Sequence, residues 1–372
     1  HTGSGGQAGY AQMDSDGGNT SNSGSWTTVG GDSMNPGSNG GRAGNLYFRA
    51  YPGSNDTRVG DVEVSGDMDL SGGDAMAAGS GYGGDAGDLY VNVDGGEGAL
   101  TDQRAALLGY VSVDANGGDG SDGGFASNNI NFYTEPNLMT ETFEFVSGPV
   151  MNDVAINARG GNSTTDVLID GGEGGYGGVI SIYTTTDDIV SNLEGISATN
   201  KANIDVSGGT GAGVDGGEWG GDGGEVMLDG YHSASSSGDV TANGGDGGEF
   251  AGSGGYIDIY AAAGEAKNGG AFTANGGAGA ANGGEGGWID VQGATGVNAG
   301  DITINGGNAT NPGDIYVNTN GGDGGDVAVL GAGLDGEATN TGTISNAPGT
   351  GTQDGDEGCI QIGALNFEGD CN

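Results

Sequence analysis

The chain has 372 residues, of which 91 are glycine and 6 are proline, and it carries 51 acidic side chains against 7 basic ones. The formal net charge of −44 excludes nucleic-acid binding through a basic surface, because such binding requires clusters of Lys and Arg. The apolar runs are too short for a membrane-spanning helix, and frequent glycine disfavours helices by about 1 kcal/mol per site. The composition leaves two classes: a disordered acidic chain, or a repetitive fold in which glycine is a structural element.

Residues 1–43 are small and polar and show no clear pair of strands. We predict that they form an arm that packs on a neighbouring subunit, with Trp26 as the assembly anchor; a mobile terminus is the alternative. The sequence starts at His1 without a basic and apolar leader, so we interpret it as the processed product of an exported protein.

Two short strand motifs alternate from residue 44 onward, and each lies beside glycine. The first motif is GNLYFRA (44–50), GDLYVNV (87–93), GGVISIY (177–183), GGEVMLDG (223–230), GGYIDIY (254–260), GGWIDVQG (286–293) and GGDVAVLG (324–331). The second motif is NIDVSGG (203–209), DVTANGG (239–245), AFTANGG (271–277) and DITINGG (301–307). Period-two alternation predicts strands with one buried face. In GGYIDIY we expect Ile257 and Ile259 on the buried face, opposite Tyr256, Asp258 and Tyr260.

One repeat cannot bury its apolar row alone, but stacked repeats bury a continuous one. We therefore predict an all-β fold, a single parallel β-helix (β-solenoid) with about ten coils, Gly-rich corners and a length of about 50 Å at roughly 4.8 Å per coil. The body is predicted over 44–357, with a broader, irregular aromatic section near 126–200. At the corners we expect glycine to permit positive φ angles and close approach of the coils.

The C-terminal residues 358–372 contain both cysteines, Cys359 and Cys371. We predict a disulfide that ties a C-terminal cap, worth about 2–4 kcal/mol, and an oxidising compartment outside the cytosol; two unpaired thiols are the alternative. Four sequons permit N-glycosylation without establishing it. They are at Asn19, Asn55, Asn162 and Asn308.

The negative charge repels itself and opposes compaction, unless salt screens it, divalent cations bind it, or an acidic habitat protonates it. Three stretches resemble the calcium-binding nonapeptide GGxGxDxUx of secreted toxins, in which U is a large apolar residue. They are GGDAGDLYV (83–91), GGDGSDGGF (117–125) and GGDGGDVAV (321–329). The resemblance implies Ca²⁺ as a cofactor, whose oxygen ligands would come from Asp side chains. The candidates are Asp85, Asp88, Asp119, Asp122, Asp323 and Asp326. The copies are not in tandem as in that family, so solvated glycine corners are the alternative.

The sequence carries no recognisable catalytic motif, and we predict that the protein is not an enzyme. Its two histidines, His1 and His232, build neither a Ser-His-Asp triad nor a Cys-His pair. They could act together as an N-terminal copper brace, an interpretation that only these two residues support. Carboxylates are spread over repeated corners instead of being paired as in glycosidases. Trp219 and Trp288 could stack on sugars, or they could cover glycine corners.

The stretch DVTANGGDGGEFAGSGGYIDIY (239–260) resembles Gly-rich parallel β-helix proteins of bacterial and archaeal surfaces, which include adhesin-like passenger domains. The resemblance covers roughly 44–364 and implies an extracellular, structural or adhesive role. We expect the subunit of a surface filament or matrix fibre that assembles with itself head-to-tail, because matching ends repeat without closing. The main alternative is a monomeric adhesin or rod that binds surface glycans. Weaker alternatives are a polysaccharide-degrading enzyme and an ice-binding protein with a row of Thr241, Thr273 and Thr303.

Overall fold

The computed structural model describes residues 4–51, 61–76, 80–94, 105–107, 112–135, 148–164, 172–184, 196–213, 218–310, 319–332 and 336–364. Their regular secondary structure is entirely β. The strands of the first half are β1 (Ala11–Asp16), β2 (Thr20–Asn22), β3 (Trp26–Thr27), β4 (Leu46–Tyr51), β5 (Val62–Val64), β6 (Met68–Asp69), β7 (Leu89–Asp94), β8 (Ala105–Leu107), β9 (Ser112–Asp114), β10 (Ile130–Glu135), β11 (Val150–Asn152), β12 (Ala155–Asn157), β13 (Val179–Thr184), β14 (Ser197–Asn200) and β15 (Ile204–Asp205). Those of the second half are β16 (Glu225–Gly230), β17 (Ser233–Ser236), β18 (Val240–Thr241), β19 (Tyr256–Ala261), β20 (Glu265–Asn268), β21 (Phe272–Thr273), β22 (Trp288–Gly293), β23 (Thr295–Asn298), β24 (Ile302–Thr303), β25 (Asp326–Gly331), β26 (Glu337–Asn340), β27 (Ile344–Ser345) and β28 (Ile360–Ala364).

The strands form three parallel sheets, and each coil contributes one strand to each sheet in turn. Sheet A has ten strands, in the order β1-β4-β7-β10-β13-β16-β19-β22-β25-β28. Sheet B has nine, from β2 to β26, and sheet C has nine, from β3 to β27. The fold is therefore a parallel β-solenoid, and the prediction of about ten coils is confirmed.

The core lies between the three sheets and consists of apolar columns that run along the solenoid. On β19, Ile257 and Ile259 are fully buried, whereas Tyr256, Asp258 and Tyr260 lie on the outer face, as predicted. Ile257 and Ile259 pair in register with Ile289 and Val291 of the next coil. Burying each large apolar side chain contributes roughly 1.5–3 kcal/mol, so the columns hold adjacent coils together.

Sheet B was not predicted, because its strands are short and carry small side chains inside, such as Ala198, Ala234 and Ala266. Its last position carries buried asparagine amides that bond from coil to coil. Nδ2 of Asn152 donates to Oδ1 of Asn200 at 2.8 Å, and Nδ2 of Asn268 donates to Oδ1 of Asn298 at 2.8 Å. The amides thereby satisfy one another inside the coil, as buried polar groups require.

Two glycine segments complete each coil outside the three sheets. The first follows the sheet C strand, and the second precedes the sheet A strand. Backbone hydrogen bonds of 2.7–3.1 Å connect glycines of the two segments in turn along the solenoid. The N–H of each of these glycines donates to the carbonyl of the preceding glycine in the series. This glycine ladder is Gly6, Gly31, Gly41, Gly73, Gly84, Gly118, Gly124, Gly161, Gly175, Gly209, Gly221, Gly245, Gly252, Gly277, Gly284, Gly307, Gly322, Gly349 and Gly355.

Close backbone approach is the reason for glycine in this ladder. A Cβ added at Gly221 would lie 2.0 Å from the carbonyl oxygen of Gly175, and one added at Gly245 would lie 1.9 Å from that of Gly209. The left-handed φ angles of 77° and 75° occur elsewhere, at Gly17 and Gly37. Of the two predicted uses of glycine, close approach therefore dominates.

The predicted division of the chain differs from the structure at the N-terminus. β1 pairs with β4, β2 with β5 and β3 with β6, so residues 11–27 are the first coil and not a separate arm. The segment escaped prediction because its inward positions carry Ala11, Met13 and Ser15 in place of large aliphatic residues.

The section near 126–200 is more regular than predicted where the structure describes it. β10 pairs in register with both β7 and β13, so this section belongs to the same sheets. Phe132 is buried in the core, and Tyr133 stacks on Tyr183 outside it at 5.2 Å between centroids. Phe143 and Phe145 lie outside the described residues.

Candidate interaction surfaces

The six predicted calcium ligands lie at solenoid corners, where they bond to the protein itself. The carboxylates of Asp119, Asp122, Asp323 and Asp326 each accept the backbone N–H of a residue in the next coil, at 2.7–3.0 Å. The carboxylate of Asp85 likewise accepts the N–H of Phe125 at 3.2 Å and also pairs with Arg42 at 3.0 Å.

Asp88 accepts a hydrogen bond from Nδ2 of Asn45 at 3.0 Å, and burial raises its pKa. In the part of the chain that the structure describes, no group of three or more His, Cys, Asp or Glu side chains is placed to hold a metal ion. The geometry gives these carboxylates a role in aligning coils, and Ca²⁺ binding stays a prediction.

Asparagines form the same coil-to-coil ladder. Oδ1 of Asn243 accepts the N–H of Asn275, Oδ1 of Asn275 accepts that of Asn305, and Oδ1 of Asn305 accepts that of Ala347, at 2.7–2.8 Å. The sequence contains the signal for this ladder, since Asp or Asn repeatedly stands directly before a glycine pair. The aspartates that lie in the GGxGxDxUx-like stretches were predicted to be calcium ligands instead.

Two carboxylates lie side by side on the outer face of sheet A. Asp258 of β19 and Asp290 of β22 are in register. Burial raises the pKa of Asp258 to about 7, and the nearby carboxylates of Asp290, Asp229 and Glu225 add to this shift. Burial raises the pKa of Asp290 to about 6, and its Oδ1 is buried without a hydrogen-bond partner. Both groups therefore bind protons more tightly in the folded chain than ordinary aspartates do.

Large exposed aromatic side chains lie in the second glycine segments or at the start of the sheet A strands that follow them. They are Tyr10, Tyr82, Phe125, Tyr176, Trp219 and Trp288. Trp219 stacks on Phe250 at 4.6 Å between centroids, whereas Trp288 meets Tyr256 edge-on at 6.3 Å. No such stacked ring covers Trp288 among the described residues, so the two predicted sugar-stacking residues differ in their surroundings.

A groove of about 930 Å³ runs across successive coils on the flank where the second glycine segment meets sheet A. We call it the glycine-floored groove, because pairs such as Gly223–Gly224 and Gly286–Gly287 form its floor. One wall carries the residue before each pair, namely Tyr176, Ser253, Glu285 and Asp323, and in the last coil Asp356, which precedes Glu357–Gly358. The other carries the residue after each pair: Val179, Glu225, Tyr256, Trp288 and Asp326. Sequence reasoning found these glycine pairs as strand markers but did not predict a groove.

The two ends of the solenoid expose positions that are buried elsewhere. At the C-terminal end, Ile360 and Ile362 are 43% and 44% exposed, although their partners Val327 and Val329 are buried. At the N-terminal end, Ala11, Met13 and Trp26 are only partly buried against the core. Trp26, the predicted anchor, packs edge-on against Phe48 at 5.8 Å and so covers part of this end.

The structure adds little support for the functions predicted for the remaining residues. Thr241, Thr273 and Thr303 are in register on sheet C, between Asp205 and Ser345, so their row is short. The imidazole of His232 lies edge-on to Tyr231, and His1 lies outside the described residues. Cys371 also lies outside them, so the disulfide with Cys359 stays a prediction.

Comparison with known proteins gives no family assignment: no family model matches the chain, and neither a curated protein nor a solved structure matches it. Among the described residues, no helix is long and apolar enough to span a membrane. The fold and its surfaces are therefore the basis for the function.

Proposed function

We propose that the protein is a structural subunit that assembles head-to-tail with copies of itself into an extracellular filament. The observation that carries the proposal is the exposure of Ile360 and Ile362 at the C-terminal edge of sheet A. An open strand edge presents unpaired N–H and C=O groups and is a template for a further strand. Apolar side chains on that edge add a hydrophobic reason to pair.

The N-terminal edge of sheet A offers the matching surface. Ala11 and Met13 occupy the first positions of the same two core columns that Ile360 and Ile362 end. If β1 of a neighbour continued sheet A beyond β28, Ala11 would lie on Ile360 and Met13 on Ile362. Gln12 would meet Gln361 on the outer face. In the column of Ala11 and Ile360, a small side chain would face a large one.

A contact between two different ends does not close on itself, so it generates a fibre. The described tenth coil has only its sheet A strand. In the register above, one strand position in sheet B and one in sheet C therefore have no strand at the junction between two subunits. The same proposal includes export of the protein, a disulfide, an outer surface nearly free of lysine, and Ca²⁺ ions that bridge neighbouring rods.

The test compares Ile362→Glu with Met76→Glu. Met76 is equally exposed, at 44%, but lies in the second coil, away from both edges of sheet A. Assembly is followed by electron microscopy and sedimentation of the full chain. We expect wild type and Met76→Glu to form filaments and Ile362→Glu to remain single rods, because a charge on the edge cannot be buried without a partner.

A mixing experiment tests the direction of assembly. Ile362→Glu keeps an intact N-terminal edge, so small amounts added to wild type should bind one filament end and shorten the filaments. Filaments of Ile362→Glu that match wild type would refute the proposed junction. Single wild-type rods at every concentration and salt tested would refute the filament and leave the monomeric rod.

A further inference from the structure

We propose that the glycine-floored groove binds a linear polymer of amino sugars, which lies along the solenoid axis with its ammonium groups on the carboxylates of the two walls. This inference goes beyond the proposed filament, because one subunit holds the whole groove.

The charge of the groove selects a cationic ligand. The residues that line it include no Lys or Arg and carry six carboxylates: Glu225, Glu285, Asp323, Asp326, Asp356 and Glu357. Asp323 and Asp326 each use one oxygen to accept a backbone N–H of the next coil. Their second oxygens remain for a ligand, and charge-assisted bonds to ammonium groups are the stronger kind of hydrogen bond.

The aromatic side chains select a ligand that also has flat faces of C–H groups. Trp288 is 53% exposed and lines the groove. Tyr176 lines it too and is 50% exposed, although one face of its ring stacks on Phe125. Tyr256 meets Trp288 edge-on at 6.3 Å, so the two rings pack together while about half of the indole stays exposed. A sugar ring that carries an ammonium group can use both interactions at once, because a cation over an aromatic face is attracted to it.

The shape of the groove selects an extended polymer. The floor consists of backbone without side chains, so a chain can approach closely along its length. The walls repeat once per coil, at about 4.8 Å, and run from the coil of Tyr176 to the coil of Asp356. A pyranose unit of an extended polysaccharide is similar in length to this repeat, so successive sugars can meet equivalent wall positions.

The experiment measures binding of a short glucosamine oligomer to the wild-type chain by calorimetry and by tryptophan fluorescence, at mildly acidic pH. Trp288→Ala should weaken binding roughly tenfold, through the loss of stacking and cation–π contact. Trp219→Ala is the matched control, since Trp219 is also half-exposed, at 50%, but stacks on Phe250 and does not line the groove. It should bind like wild type.

Two further comparisons separate charge from ring stacking. The double variant Glu225→Gln/Glu285→Gln should weaken binding and reduce its dependence on salt. The N-acetylated oligomer of equal length has no ammonium groups and should bind at least roughly tenfold more weakly.

Three results would overturn the proposal. One is equal effects of Trp288→Ala and Trp219→Ala, which would place the ligand outside the groove. Another is equal binding of the N-acetylated oligomer, which would remove the role of the carboxylates. The third is tighter binding of oligolysine than of the glucosamine oligomer, which would assign the groove to a basic peptide. None of these results depends on filament formation.

Discussion

Gly252→Ala tests the claim that close backbone approach in the glycine ladder holds the coils together. A Cβ at this position would lie 2.0 Å from the carbonyl oxygen of Gly221 in the preceding coil. Real Cβ atoms essentially never come closer than 3.0 Å to such an atom, so the two segments must separate by about 1 Å. The atom that blocks the methyl group belongs to backbone and cannot rotate away.

The expected cost follows from the bonds beside the contact. The N–H of Gly220 donates to the carbonyl of Phe250 at 2.8 Å, and the N–H of Gly223 donates to that of Ser253 at 2.9 Å. A shift of about 1 Å takes both beyond the range of a hydrogen bond. Two lost bonds cost about 2 kcal/mol in net terms, and overpacking adds roughly 1–3 kcal/mol. We expect Gly252→Ala to destabilise this region by about 3–5 kcal/mol.

Gly269→Ala is the control, because the same methyl group makes only ordinary van der Waals contacts there. The nearest atom to an added Cβ at Gly269 is the carbonyl oxygen of Ser236, at 3.4 Å, and its φ lies outside the left-handed region. Alanine at a compatible site restricts the unfolded chain, so this variant should gain about 0.4–1 kcal/mol.

Hydrogen exchange measured by mass spectrometry is the appropriate assay, since a long repeat array need not unfold in one step. Faster exchange around residues 245–260 in Gly252→Ala only would support the reasoning. Equal exchange in both variants and wild type would refute it.

Three other predictions concern titration, the interior and metal. The raised pKa values of Asp258 and Asp290 mean that the folded chain binds more protons than the unfolded one above about pH 4, so stability should fall as pH rises through 6 to 7. Asp258→Asn should remove roughly 2–4 kcal/mol of that loss of stability. The variant should therefore have a higher melting temperature than wild type at pH 8 but not at pH 4. Asp239→Asn, at an exposed position, should leave the melting temperature unchanged at both pH values. Asn298→Ala leaves the buried amide of Asn268 and the half-buried amide of Asn340 without their ladder partner. It should therefore cost about 2–4 kcal/mol in denaturant unfolding, against under about 1 kcal/mol for the exposed Asn320→Ala. EDTA should leave the melting temperature unchanged, because backbone N–H groups already engage most of the predicted calcium ligands; a clear fall would restore the metal interpretation.

The sequence predicts the parts of the fold in which large aliphatic residues alternate with polar ones. Sheet A and the later strands of sheet C have this pattern, as in Ile257 and Ile259, and their burial follows from it. Sheet B lacks it, because an interior position filled by Ala266 beside a buried Asn268 looks like an exposed turn. The first coil was missed for the same reason. The solenoid ends and the glycine-floored groove could not be predicted, because both depend on which segments the coiling places side by side.

The division of the coil into two kinds of packing limits where function can reside. In the sheets, inward side chains form the core, and in the glycine segments no side chain fits between the backbones. Substitutions inside either part disturb the stacking of neighbouring coils.

The residues that flank each glycine pair are different, because they point away from the backbone contact. Trp288 and Glu285 flank one pair, and Asp323 and Asp326 flank another. These flanking positions vary among acidic, aromatic and small residues while the pairs between them stay constant, so they can carry ligand binding without loss of the fold. The ends of the sheets have similar freedom only where no further coil covers them. The proposed binding along the groove and the proposed assembly through the ends therefore use separate parts of the molecule, and a polymerised rod would still present the groove of each subunit.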